Sequence, residues 1–138
     1  SLYTNGGKTE KDIVDLSKGT YYFAVYSGDY QNYKFKLSIP TKPAKAKLNK
    51  LKASKGGKIK ATWAKTKGAS GYQLSYSKSK SFKKVIATKT VNGSKKTSYT
   101  GKNFTKGKKY YVRVRAYKKV NGKKVYGSWS NVKSVKAK

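Results

Sequence analysis

The stretch Tyr110-Tyr111-Val112-Arg113-Val114-Arg115-Ala116-Tyr117 decides the fold. Its side chains alternate strictly. Tyr110, Val112, Val114 and Ala116 fall on one face, and Tyr111, Arg113, Arg115 and Tyr117 fall on the other. Period-two alternation with β-branched residues is the pattern of a half-buried strand. Asn121-Gly122 follows between two β-prone arms. That pair predicts a tight hairpin, because a type I′ turn needs positive φ at both central residues. Residues 127–131 read as a bulge or bend, and residues 132–135 as a last strand.

Upstream the same period recurs. Ile59, Ala61 and Trp63 alternate with Lys58, Lys60 and Thr62, after a Gly56-Gly57 turn and a strand over residues 48–54. Tyr72, Leu74 and Tyr76 alternate after the loop at residues 67–71. Further strands are expected over 85–91, closed by Asn92-Gly93, and near 97–100. Seven strands in under a hundred residues, with turn signals between them, is the spacing of an all-β antiparallel sandwich. No helix-period apolar stripe competes with that reading.

The first forty residues form a separate pattern. Residues 33–39 alternate well, residues 21–26 form a second candidate strand, and residues 13–16 a third. Three strands are barely a fold. Leu16, Gly19 and Tyr22 repeat the spacing of Phe104, Gly107 and Tyr110, and both triplets precede an alternating strand. This is a tyrosine-corner layout, in which the Tyr hydroxyl bonds back to the backbone. Residues 1–40 therefore read as the last three strands of a second, truncated sandwich. Prolines at 40 and 43 mark residues 41–47 as a linker. Residues 48–138 are the second domain. The chain starts at Ser1 without a methionine and is expected to be a piece of something longer.

Charge is the most extreme number. Lys and Arg total 35, Asp and Glu total 4, and the net charge is +31. All four acids (Glu10, Asp12, Asp15 and Asp29) precede residue 30, and this asymmetry again separates two units. There is no cysteine and no histidine. Ser-His-Asp and Cys-His catalysis, thiol redox chemistry and thiolate zinc sites are excluded. The four acids lack the loop spacing that a calcium site of six or more oxygens needs. They read as turn caps and solvated surface, not as a catalytic carboxylate pair. No cofactor is expected. No apolar run approaches the ~18 residues that would span a bilayer.

Trp63, Gly71-Tyr72 and the row from Phe104 through Gly107 to Ala116 resemble a fibronectin type III domain, an immunoglobulin-like sandwich, over about two thirds of the chain. The resemblance places Trp63 in the core on the second strand, starts the third strand at Tyr72 and makes Tyr110 the tyrosine corner. The expected core is Trp63, Tyr72, Leu74, Phe104, Gly107, Tyr110, Val112 and Val114. The Lys-rich style is similar to modules of secreted or surface proteins of Gram-positive bacteria. Residues 1–40 resemble the end of a pre-peptidase C-terminal-type sandwich through Asp15-Leu16-Ser17-Lys18-Gly19-Thr20-Tyr21-Tyr22. The integrin-binding Arg-Gly-Asp of some animal members is absent, so that activity does not carry over.

The resemblance implies a non-catalytic spacer or adhesion module, secreted or on the cell surface, whose partners are neighbouring domains of the parent chain. The lysines have two readings. One is a solvated face, with Lys58 and Lys60 discouraging edge-to-edge pairing. The other is weak attraction to an anionic cell-wall polymer or glycan. With only two arginines, sequence-specific nucleic-acid reading is not expected. Tyr111, Tyr117 and Tyr126 read as outer-face packing, or alternatively as the sugar-stacking rings of a carbohydrate-binding module. Arg113 and Arg115 could clasp Trp129 through cation–π contact and blunt a sheet edge. A fragment starting near Thr41 is expected to melt cooperatively on its own, and residues 1–40 alone are not. A cooperative calorimetric transition from the 1–40 peptide would overturn the truncated-sandwich reading.

Overall fold

The computed structural model describes residues 41–138. The expectations for residues 1–40, including the second sandwich and its tyrosine corner, lie outside the described residues. The described residues form eight strands: β1 Leu48–Ser54, β2 Lys58–Trp63, β3 Gly71–Ser77, β4 Val85–Asn92, β5 Ser98–Gly101, β6 Lys109–Val120, β7 Lys123–Tyr126 and β8 Lys133–Lys136. They make two antiparallel sheets. One has the order β1-β2-β5. The other has β4-β3-β6-β7, with β8 also paired to β6. The count exceeds the expected seven because the last strand is broken: β7 and β8 pair with opposite ends of the twelve-residue β6.

The alternation read from sequence decides which side chains meet between the sheets. Ile59, Ala61 and Trp63 on β2 face Tyr72, Leu74 and Tyr76 on β3 and Val112, Val114 and Ala116 on β6, and all are buried. The rings interlock, with Trp63 and Tyr72 centroids 5.3 Å apart and Phe104 set edge-on to Tyr110 at 4.8 Å. Such tilted pairs add to the burial of the rings themselves. On β1 the register to β2 slips by one at Asn49, between Leu48 and Lys50. The slip returns Leu51 and Ala53 to the inner face after Leu48, since a one-residue shift exchanges faces.

Two local devices close the ends. The Thr105 amide donates to the Tyr110 hydroxyl at 3.0 Å, across a corner that Gly107 turns at φ 80°. At the β1–β2 turn, Gly57 has φ 61°, and a Cβ there would lie 2.3 Å from the Phe104 carbonyl oxygen. The Phe104 amide donates to the Gly57 carbonyl at 3.0 Å, so the contact holds the turn against the corner loop. The stretch 41–47, expected as a linker, has no strand. Pro43 and Ala46 are nonetheless buried, and Ala46 belongs to the core.

The sheet order corrects one reading of the lysines. Lys58 and Lys60 lie on β2, the middle strand of its sheet, so they guard no edge. They project outward from a face whose register sets Lys52 opposite Lys60, Ser54 opposite Lys58 and Lys60 opposite Thr100.

The Tyr76 hydroxyl is buried without a hydrogen-bond partner. Burial pushes its pKa well above the ordinary value of 10.0, with a smaller push from Tyr99. A raised folded-state pKa contributes stability that is complete below the unfolded value and is lost as pH climbs past it. Tyr76→Phe is therefore expected to be neutral or to stabilise by up to ~1 kcal/mol at pH 7, since it removes an unsatisfied hydroxyl. It should also lose less stability than the wild type when urea melts are compared above about pH 10.

Candidate functional site

The described residues contain no carboxylate, imidazole or thiol side chain. The two arginines of the chain therefore have no anionic side chain in the sandwich to pair with. The structure shows what they do instead. Arg113 and Arg115 are two residues apart on β6 and project from its outer face, ~7 Å from one another along the strand. Each guanidinium lies 4.3 Å from the Trp129 ring. Arg113 is also 4.1 Å from the Phe82 ring, and Arg115 is 3.9 Å from the Tyr126 ring. The contacts run as one alternating row: Phe82, Arg113, Trp129, Arg115, Tyr126. A planar, weakly hydrated guanidinium is the cation best suited to such stacking.

The break in the last strand builds this row. After β7 the chain bends at Gly127, whose amide donates to the Ala116 carbonyl at 2.9 Å. Ser130 then takes over the pairing to β6. Its amide donates to the Val114 carbonyl at 2.8 Å, and its Oγ accepts from the Val114 amide at 3.0 Å. With both Val114 groups satisfied by one residue, Trp129 leaves the ladder and lies over β6. Asn131 ties the segment to the other sheet. Its Oδ1 accepts from the Leu48 amide at 3.1 Å, and its Nδ2 donates to the Leu48 carbonyl at 3.2 Å.

Further contacts flank the row on β6, whereas β4 at the edge of the same sheet is largely exposed. Arg115 Nε donates to Gln73 Oε1 at 2.8 Å. Arg113 Nε is buried without a partner. Desolvation lowers the pKa of both arginines, and Arg115 adds to the effect on Arg113. Phe82 sits at φ 56°, a conformation that costs a bulky residue on the order of 1 kcal/mol and that brings its ring under Arg113. Tyr117, expected to pack across the strand on the outer face, is fully buried there. It lies across Gly71, where a Cβ would come 2.5 Å from its hydroxyl oxygen, and it donates to Asn92 Oδ1 at 2.6 Å. Tyr126 packs edge-on against it at 6.0 Å. Burial, then Tyr126, raises the Tyr117 pKa.

The expected core residues fall at two depths. Trp63, Tyr72, Leu74, Tyr110, Val112 and Val114 are buried, whereas Phe104 is half-buried and Gly107 is an exposed corner. The arginine row covers an inner strand of its sheet and does not guard an edge, because β6 is flanked on both sides. Phe82, Ser130 and Asn131 were missed by sequence reasoning. The only signal for Ser130 and Asn131 was their place in a turn-prone stretch, and nothing local marked Phe82. No group of His, Cys, Asp or Glu among the described residues could hold a metal ion.

Fold and site together define an immunoglobulin-like sandwich module whose strand β6 is covered on its outer side by the arginine row. A family model, described as the fibronectin type III domain, matches residues 49–132. The chain belongs to the fibronectin type III family. Domains of this family are generally non-catalytic modules of multidomain proteins and are commonly extracellular. Among solved structures, the chain is similar to an Fn3-like protein from Clostridium thermocellum, at 26% identity and TM-score 0.51, covering 73% of this chain and 96% of that one. It is also similar to the sixth fibronectin type III domain of human fibronectin type III domain containing protein 3 (18% identity, TM-score 0.52, 72% and 90% covered). A third is the structure of chicken CNTN1 FN1-FN3 domains (19% identity, TM-score 0.55), of which the match spans 31% and which covers 71% of this chain. No curated protein matches significantly. The family match does not reach residues 1–40. Among the described residues no helix is long and apolar enough to cross a membrane.

A double-mutant cycle checks the row. Arg115→Gln and Trp129→Leu are each expected to destabilise, with a coupling energy of ~0.5–2 kcal/mol in urea melts. Additive effects within error would show that the two side chains do not act on each other.

Proposed function

We propose that this chain is a non-catalytic spacer or adhesion module of a secreted or cell-surface bacterial protein, with salt-sensitive attraction to anionic wall polymers. The observation that carries the reading is the sandwich's charge. Every ionic side chain from residue 34 onward is a cation, and the two arginines are engaged by aromatic rings, which leaves lysine as the charge presented to solvent. A surface of one sign draws polyanions over distances of about a Debye length, ~8 Å at physiological salt. Lysine is a hydrated point charge and favours attraction without fine discrimination. The family likeness supports the spacer role, and the match to a bacterial Fn3-like protein supports the source.

The carbohydrate-binding alternative receives less support. Sugar stacking needs free ring faces, but Tyr117 is buried, Arg115 stacks on Tyr126, and Lys109 Nζ lies 5.6 Å over the half-buried Tyr111 ring. Binding to poly(glycerol phosphate) at 50 mM and 300 mM salt separates the readings. The wall-polymer reading expects binding at low salt that falls at least tenfold at the higher salt, with no retention on neutral polysaccharide. Salt-resistant binding to a neutral glycan would replace this reading with the alternative.

A further inference from the structure

We propose that the outer face of the β1-β2-β5 sheet is the specific docking surface for a flexible polyphosphodiester. This rests on the wall-polymer reading above and locates it on one face. Four lysines project from that face: Lys50 and Lys52 on β1, Lys58 and Lys60 on β2, all exposed. The register fixes their layout. Lys52 lies directly opposite Lys60, and residues so paired have Cβ atoms ~4.5–5.5 Å apart. Within each strand the two lysines are ~7 Å apart, and the strands are ~4.8 Å apart. Like charges directly opposite one another destabilise a sheet, and the sandwich holds no acidic side chain to relieve them. A bound polyanion would do so.

The other outward positions identify the ligand chemistry. Ser54 sits opposite Lys58, Thr62 opposite Lys50, and Thr100 opposite Lys60. The face thus offers ammonium and hydroxyl donors, with no aromatic ring and no arginine. Without rings it has no stacking platform for bases, which single-stranded nucleic-acid binders use. Without guanidinium forks it lacks the bidentate geometry that selects planar carboxylates, as in uronic acids. Lysines in a fixed lattice suit phosphate groups spaced along a flexible chain. The opposite sheet also sets lysines against one another, Lys119 opposite Lys124 and Lys109 opposite Lys136, but these pairs lie at the two ends of β6 with the arginine row and Tyr117 between them, so they form no continuous lattice.

The test compares two charge-matched triple variants with the wild type, using synthetic poly(glycerol phosphate) as the probe and titration calorimetry as the readout. One variant is Lys52→Gln, Lys58→Gln and Lys60→Gln. The other is Lys67→Gln, Lys83→Gln and Lys95→Gln, all exposed and all off this face. At 50 mM salt the face variant is expected to bind at least tenfold more weakly, and the scattered variant within about threefold of wild type. The slope of log affinity against log salt should shrink by roughly 2 for the face variant, since each phosphate neutralised on a single strand adds about 0.7 to it. Its melting temperature at low salt should be equal to or higher than wild type, so weaker binding cannot be laid to unfolding. Equal weakening in both variants would overturn the docking face and leave general polyanion attraction standing. Equally tight, face-dependent binding of polygalacturonate would overturn the phosphodiester assignment. No binding by the wild type would remove both this inference and the wall-polymer reading.

Discussion

Strand β6 is the constraint on which the sandwich depends. It is hydrogen-bonded to β3 along one side and to β7, the Ser130 segment and β8 along the other. Its inner side chains fill the core, and its outer ones meet the arginine row. Both faces of a strand are seldom covered in a two-layer antiparallel sandwich, where one face is usually solvated. Here the covering is forced by composition. Two guanidiniums on an acid-free domain have no carboxylate to meet, and π-faces are the strongest remaining partners. Phe82 from the β3–β4 loop, Tyr126 from β7 and Trp129 from the β7–β8 segment converge on one strand for that reason.

The broken last strand links this row to the other sheet. Ser130 completes the β6 ladder, and the next residue, Asn131, bonds the backbone of Leu48 on β1 in both directions. One short segment thus fixes the row over β6 and joins the two layers along an edge. It also leaves the two sheets with different outer faces. The β6 side carries the packed aromatic row at its middle, and the β2 side presents lysines and hydroxyl side chains.

Much of the fold was legible because the inward residues keep a strict period of two, and a register error would expose Trp63 or Val112. Strand limits shifted by about a residue at β5 and β8, where no turn residue sets a sharp stop. The tyrosine corner was readable from the Phe104, Gly107 and Tyr110 spacing, since its parts lie close in sequence. Arg113, Arg115 and Trp129 could be paired in advance because the hairpin at Asn121-Gly122 returns the chain beside β6 shortly before Trp129. Phe82 could not, because its arrival depends on a β3–β4 loop whose path no local pattern encodes. Tyr117 packs across the strand on Tyr126 as expected, but its full burial was not legible, because alternation reports sides of a strand and not what covers them. The lysines of β2 were misread as edge guards because strand order within a sheet cannot be read from one strand.

The lack of acidic side chains has a consequence at the other end of the pH scale. Acid unfolding of most proteins proceeds by protonating carboxylates that the native state uses in pairs, or by charging histidines buried neutral. The sandwich has neither kind of side chain to protonate. Its guanidinium contacts are to rings, which carry no proton to gain in that range. A fold held by aliphatic packing, ladders and ring–cation stacks keeps its interactions as a medium turns acidic.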